Sequence, residues 1–421
     1  MAAGAKPHRK PTAAEEAILA RFESIKDRLP GNDNVAEARR SAMAAFERDG
    51  LPTRKVEAWH YTDLRTALRE VPAEVDGATN AAPALAEGSA VVNLASVTAM
   101  EAGGVTIESA AQRMADGTLF VAPSRPWDTI GQINAAFATG GAVVDVPAGR
   151  AVEGTPIELQ TMSGGGQLHV RNAVSIGAGA RVTLIERHLG AEGGALDSTV
   201  TDMVVGDAAE VTYVLVQGRG EGAHHLGQLN ASLGKDARLT LFLLQAGAKV
   251  SRQEVHVEVL GEGADFQLRG VNLLGGDALT DTTMVVNHAV PNTTSEEVFR
   301  NVGTGGGRGV FQGQIKVAQV AQKTDAKMSC NTLLLSDDAS FAAKPELENF
   351  ADDVACGHGA TVDDLEPSHL FYLMARGIPE KEARALLVKG FVDEMLETLE
   401  EHEALSEALE AEIDRWLEAH A

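Results

Sequence analysis

Four segments between residues 177 and 268 share one alternation of apolar and polar positions. They read GAGARVTL from Gly177, GDAAEVTY from Gly206, GKDARLTL from Gly234 and GEGADFQL from Gly261, at spacings of 29, 28 and 27 residues. Ala180, Ala209, Ala237 and Ala264 stand third after the first glycine. Val182, Val211, Leu239 and Phe266 stand fifth, and Leu184, Tyr213, Leu241 and Leu268 seventh, with Thr183, Thr212, Thr240 and Gln267 between them. Such alternation is a strand with one buried face. The glycine makes the turn before it, and small alanine suits a tight corner. A second alternating run precedes each glycine, as in QEVHVEVLG at 253–261, so each repeat holds at least two strands and two bends. A period in the high twenties with no helix inside predicts the rung of a β-solenoid. Like positions then stack about 4.8 Å apart around a column of Val, Leu and Phe.

Past Gly261 the register blurs, but the turn signature returns. SDDASFAA at 336–343 places Ala339, Phe341 and Ala343, and GHGATV at 357–362 places Gly357, Ala360 and Val362. This alignment puts His358 at the second position of a corner, where Ala178, Asp207, Lys235 and Glu262 stand in earlier repeats. His358 is therefore expected to project outward near the end of the solenoid.

A helical period flanks the repeats. Ile18, Leu19, Phe22, Ile25 and Leu29 share one face of a helix expected over 13–29. The NDN stretch offers caps for a second helix near 35–48, which Gly50 ends. Trp59 and Tyr61 are expected anchors, and residues 72–90, rich in Ala, Pro, Gly and Glu, read as a linker. At the other end Pro367 opens a helix carrying Leu370, Phe371, Leu373 and Met374, Gly377 ends it, and Pro379 starts the next. That next helix carries Ala383, Leu386, Leu387, Phe391, Met395 and Leu399; a last one carries Leu405, Leu409, Ile413, Trp416 and Leu417. Three such helices either cap the solenoid end or dock a partner. The expected division is 1–90 helical region and linker, 91–362 β-helix, and 363–421 helical domain.

Composition narrows the function. The 421 residues carry a net charge of −24, from 36 basic and 60 acidic side chains. That surface repels phosphate backbones and anionic lipid, which argues against nucleic-acid and membrane partners. Aromatics at 4% are too few to pave a carbohydrate cleft or a base-stacking platform. Two cysteines make no disulfide framework and fit a reducing compartment. The N-terminal MAAGAKPHRKPTAAEE lacks the apolar core of a signal peptide, so the chain is expected to be cytoplasmic, with a loose tail over its first dozen residues. The sequence contains no GxxxxGK[ST], so no nucleotide is expected on this chain.

The stretch DDVACGHGATVDDL at 352–365 sets one of the two cysteines beside a histidine. On a strand, Cys356 and His358 point the same way, and a thiolate with an imidazole can share a metal. A buried cysteine beside an exposed turn histidine is the alternative. An iron–sulfur cluster needs about four protein ligands, so a complete site would draw on another chain. Cys330 lies 26 residues before Cys356, close to one repeat, and is a candidate neighbour. His224 and His225 are adjacent and are expected to be solvated. Asp325, Asp337, Asp338, Asp352 and Asp353 suggest the acidic cleft of a β-helical carbohydrate-active enzyme, or simply turns.

Several long strings resemble one family. The stretch VFQGQIKVAQVAQKTDAKMSCNTLLLSDDASFAAKPELENFADDVACGHGATVDDLEPSHLFYLMARGIPEKEARALLVKGF at 310–391 is similar to the core of the SufB/SufD proteins of the bacterial SUF machinery for iron–sulfur cluster assembly. EAWHYTDL at 57–64 is similar to that family's N-terminal signature. Length, CGHGATV and the low cysteine count resemble the SufD branch rather than the thiol-bearing SufB branch. The resemblance implies a right-handed parallel β-helix between helical regions and a non-catalytic assembly subunit. It implies pairing with a SufB-like paralogue, or a homodimer when alone, and with a SufC-like ATPase that hydrolyses ATP. It implies that His358, with Cys356 beside it, faces SufB where iron or a transient iron–sulfur cluster is built. It also implies that the C-terminal helices, through Leu370, Phe371, Met374, Leu386, Leu387 and Phe391, dock the ATPase. Where the family pattern reads QKTDAxQxN, this chain has Met328 and Cys330, so Cys330 inherits no role. A purely structural brace for SufB is the remaining alternative.

Overall fold

The alternating runs form strands that stack in register. The computed structural model describes residues 10–72, 80–122, 125, 128–152, 154–190 and 193–420. Most of the expected N-terminal tail and residues 73–79 of the expected linker lie outside the described residues. Sheet I holds β1 (Ala90–Asn93), β5 (Ile157–Ser163), β7 (Arg181–Gly190), β9 (Glu210–Arg219), β11 (Arg238–Ala246), β13 (Asp265–Leu274), β15 (Thr294–Gly303), β17 (Asp325–Leu334) and β19 (Ala355–Asp363), in that spatial order. Sheet II holds β2 (Met100–Ala102), β3 (Val105–Ser109), β4 (Ala142–Val146), β6 (Gly166–Ile176), β8 (Ala195–Val205), β10 (Ala223–Leu233), β12 (Val250–Val259), β14 (Leu279–His288), β16 (Arg308–Val317) and β18 (Ser340–Asn349). From β4 onward every pairing is parallel, and the chain alternates between the sheets; only β2, β3 and β4 pair antiparallel. The result is the parallel β-helix that the repeat predicts.

Register fixes the core. Val182, Val211, Leu239 and Phe266 form one column, continued by Ser295, Ala326 and Cys356. Leu184, Tyr213, Leu241 and Leu268 form the next, continued by Glu297, Met328 and His358. These columns face sheet II, whose Val255, Val257, Met284, Val286, Phe311 and Ile315 close the interior. At the corners the third position takes a left-handed backbone: Gly179 (φ 66°), Ala208 (φ 53°), Asp236 (φ 54°), Gly263 (φ 77°), Asn292 (φ 57°) and Lys323 (φ 65°). The first glycine of each repeat serves a different need. A Cβ on Gly261 would lie 2.0 Å from the carbonyl carbon of Gly234, in the rung beneath.

The later rungs depart from the expected register. Asp265, Thr294, Asp325 and Ala355 are column partners at intervals of 29, 31 and 30 residues. The real corners fall at 289–293, 318–324 and 350–354, and none carries the Gly-x-x-Ala signature. SDDASFAA turns the opposite corner, from β17 into β18, and GHGATV is not a corner at all but the middle of β19.

Helices cover the flanks rather than the end. On the outer face of sheet II lie α1 (Ala13–Ile25), α2 (Asp33–Asp49) and α3 (Leu64–Ala67); α4 (Ala110–Ala115) follows β3, and the fully buried α5 (Thr129–Phe137) packs under α2. Thr12 and Glu15 close a capping box on α1, Asn32 caps α2, and Gly50 ends it at φ 68°. Trp59 is buried, with the Arg252 guanidinium 3.8 Å above its ring, while Tyr61 is half-buried. On the outer face of sheet I lie α6 (Pro367–Ala375), α7 (Glu380–Asp393) and α8 (Glu403–His420), joined through a 3-10 turn at Glu394–Leu399. Val388, Val392, Met395, Leu399, Leu409 and Ile413 pack there on Ile185, Val214, Phe242, Leu244 and Val271. Among the described residues neither helical group caps the last rung, so of the two expected alternatives the end cap is not the one seen.

Candidate functional site

The last rung, β18 to β19, ends the solenoid with its stacking edge open. Among the described residues no strand pairs with the outer edge of either strand. The Ala355 N–H donates down to the Thr324 carbonyl and the Ser340 N–H to the Gly307 carbonyl. Parallel strands alternate the direction of their backbone groups. The backbones of Cys356, His358, Ala360 and Val362 therefore face outward along the axis, as do those of Phe341, Ala343, Pro345 and Leu347. Proline belongs on such an edge, where no ladder hydrogen bond is lost. An open edge of this length is a template for strand addition.

Cys356 and His358 share the inward face of β19, two positions apart, as their spacing predicts. Cys356 is half-buried against the core above Ala326. Burial pushes its thiol above the ordinary value, the Ala326 backbone opposes this, and the charges of Asp325 and Glu297 add to it. His358 is exposed, although it stands above Met328 in a core column. Its exposure comes from the missing next rung and not from an outward-turned corner, which corrects the expected placement. Cys330 is sealed in the core opposite Ala360, two columns away from the Ala326–Cys356 stack with the Met328–His358 column between, so the two cysteines are not neighbours. Burial pushes the Cys330 thiol up to about 12, against hydrogen bonding from Asn301. Among the described residues no three His, Cys, Asp or Glu side chains converge to hold a metal. On its inward face the terminal rung thus offers two ligand-type side chains, Cys356 and His358, and room for a neighbour.

The C-terminal surface is apolar and uncovered. No residue of α6 is buried, and Phe371 is 73% exposed; Met374 and Leu386 are exposed beside it, with Leu370 half-buried. Leu387 and Phe391 instead pack partly against sheet I, and Arg300 lies 5.2 Å over the Phe391 ring.

Two polar groups of the interior escaped the sequence reading. Glu186 on β7 accepts from Thr201 (2.8 Å) and from Tyr213, and meets His188 at 3.0 Å. The His188 ring lies 4.7 Å from that of His225, tilted by 33°; His225 bonds Asp197, and Asp197 pairs with Arg219. His225 is therefore buried and His224 half-buried, not solvated as expected. The second is Glu297, buried on β15. Period-two alternation marked these positions as inward, and a charge on an inward position was the available signal. The five aspartates split between opposite corners: Asp337 and Asp338 at one, Asp325, Asp352 and Asp353 at the other. Asp353 pairs with Lys323. They form no single cleft.

Comparison with known proteins agrees with this architecture. The family described as SUF system FeS cluster assembly, SufBD core domain, matches residues 159–391, and the SufBD protein N-terminal region matches 19–71. The chain is 27% identical to the iron–sulfur cluster assembly protein SufD of Escherichia coli, over 88% of this chain and 90% of that one. It is 29% identical to an iron–sulfur cluster assembly SufBD family protein of Synechocystis, over 65% of this chain but 63% of that protein. It is 30% identical to Protein ABCI7, chloroplastic, of Arabidopsis thaliana, over 67% of this chain and 62% of that one. With its core domain matched over more than half its length, the chain belongs to the SufBD family of SUF-system iron–sulfur cluster assembly proteins and is SufD-like.

Proposed function

We propose that this chain is the SufD-like half of a two-solenoid assembly, joined to a SufB-like paralogue through the open edges of β18 and β19. A SufC-like ATPase docks on α6 and α7. The observation that carries this reading is the terminal rung: unpaired strand edges that hold His358 exposed and Cys356 half-buried on one face. A cluster takes about four protein ligands. This rung presents two, and Cys330 is sealed away with its proton held. The partner supplies the remaining thiolates across the joint, where strand addition brings the two last rungs together.

Iron and sulfide are cargo here. Imidazole ligates iron in its neutral form, and exposure leaves the His358 ring free to turn toward a partner. ATP-driven closure of the partner ATPases pulls on α6 and α7, the latter packed through Val388 and Val392 onto sheet I. That pull shifts one solenoid against the other and opens the joint. A second copy of this chain can occupy the same edges when SufB is absent.

The test is His358→Ala in the co-expressed three-component complex. The complex should assemble as before, while bound iron and acid-labile sulfide fall at least ~10-fold, as loss of a ligand dictates. Normal cluster yield from the variant complex would reduce the chain to a structural brace.

A further inference from the structure

The two strands of the open rung are unequal as edges for a joint. On β19 the outward backbone groups belong to Cys356, His358, Ala360 and Val362, and each brings an N–H. On β18 they belong to Phe341, Ala343, Pro345 and Leu347, and Pro345, in the middle of the strand, brings none. Within the chain this costs nothing. The Ser340 and Phe350 N–H groups donate down to the Gly307 and Val317 carbonyls, so the odd-numbered positions between them face away from β16. Toward a partner it does cost. The ring puts a methylene where an amide hydrogen would stand, in the path of an incoming strand.

Two solenoids of one hand that meet at their C-terminal ends pair their strands antiparallel. Outward residues then sit in closely spaced pairs that exchange two hydrogen bonds each. Along β19 every such pair can be complete. At Pro345 at most one of the two bonds forms, and the partner carbonyl opposite is left without a donor, which adds to the cost. β19 therefore closes as an unbroken ladder, and β18 as a ladder with a gap at its centre.

The surroundings differ in the same sense. Outside β18, Lys344 pairs with Glu57, and Gln312 donates to the Ala58 carbonyl (3.1 Å), so the N-terminal segment straps β16 and β18 together. β18 is thus held in its own sheet when a partner strand leaves. Outside β19, Gly357 and Gly359 have nothing within 4 Å of where a Cβ would stand, so this strand is free to flex as a hinge. β19 also runs through Asp363 to Leu365, buried in the flank of sheet I, and into α6 at Pro367. A pull on α6 and α7 therefore reaches the joint on the sheet I side. Drawing two such arms together on that side presses it closed and levers the sheet II side apart.

Resting on the two-solenoid reading above, we propose that the joint hinges on β19 and opens along β18, and that Pro345 is the residue that sets this order. Cys356 and His358 stand on the core side of β19, above Ala326 and Met328, and so look across toward β18. Parting β18 from its partner strand uncovers that face, while the β19 ladder still holds the two solenoids in register. Pro345 touches no cargo; it is a positioning residue that acts through the edge it weakens.

The experiment is amide hydrogen exchange on the three-component complex, with and without a non-hydrolysable ATP analogue, for wild type and Pro345→Ala. Without nucleotide, the outward amides of β18 (Phe341, Ala343, Leu347) and of β19 (His358, Ala360, Val362) should all be protected. With nucleotide, the wild-type β18 amides should speed up at least ~10-fold while those of β19 hold. Pro345→Ala restores the missing donor. One backbone hydrogen bond corresponds to about 3–10-fold in the closing equilibrium, so nucleotide-driven exposure of β18 should fall by that factor in the variant. Alkylation of Cys356 by iodoacetamide, read by peptide mass, should fall with it. No release of β18, release of β19 ahead of it or with it, or a Pro345→Ala pattern equal to wild type overturns the ordered opening and leaves the joint standing. If neither strand is protected in a stable complex, the joint and the ordered opening fall together.

Discussion

Gly261 shows how a single position is held by the rung beneath it. Its Cβ would meet Gly234 and Lys235 backbone atoms at 2.0 Å, with no flexible side chain to yield. Gly261→Ala should therefore lower stability by about 1–3 kcal/mol through overpacking, read as a fall in denaturant midpoint. Gly357→Ala, with nothing within 4 Å, should leave the midpoint unchanged, and equal effects would refute the close-approach argument. A second residue-scale prediction concerns acid. Burial holds His169 and His288 down to about 4, so both stay neutral in the fold. A folded pKa below the ordinary 6.5 means the stabilisation is fully present above pH 6.5 and is lost as pH falls toward 4. Each contributes roughly 3 kcal/mol by linkage. Urea midpoints should fall steeply across that window, and less so in a His169→Gln, His288→Gln variant; parallel pH profiles would contradict this. The repeat glycines were legible because the close approach recurs at Gly177, Gly206, Gly234 and Gly261. His358 was misplaced because GHGATV carries the corner's Gly-x-x-Ala-x-Val pattern in mid-strand, while the true corners had lost it.

Among the elements, strands were legible where one face is buried and the other is not. The runs YVLV at 213–216 and LFLL at 241–244 break alternation because both faces are covered, one by the core and one by the C-terminal helices. That break was the available sign that α7 and α8 lie along sheet I rather than over its end. The helix α5 was missed, although Asp128 caps it and Ile130, Ile133 and Phe137 follow helical spacing. At the other extreme α6 buries nothing, and exposed patches of this kind mark interaction sites. Phe371→Glu with Leu386→Glu should weaken binding of the SufC-like ATPase at least ~10-fold. As surface changes they should leave thermal stability within about 0.5 kcal/mol of wild type. Undiminished binding in a pull-down titration would move the docking surface elsewhere.

For the whole molecule, the chain is a stack that never closes at its C-terminal end. Helices shield both lateral faces, and among the described residues no strand covers the edges of β18 and β19. The repeat alone announced a solenoid, and Cys356 with His358 supplied the expectation of an incomplete site. It could not announce which end stays open, because that depends on where helices distant in sequence come to rest. The most direct measurement is amide hydrogen exchange of the chain alone and with its SufB-like partner. The outward-facing amides of His358, Ala360, Val362, Phe341 and Leu347 should exchange fast in isolation and slow markedly in the complex, while sheet interiors such as β9 and β10 stay unchanged. Protection confined to the helical flanks, with β18 and β19 still exchanging freely in a stable complex, would contradict the account.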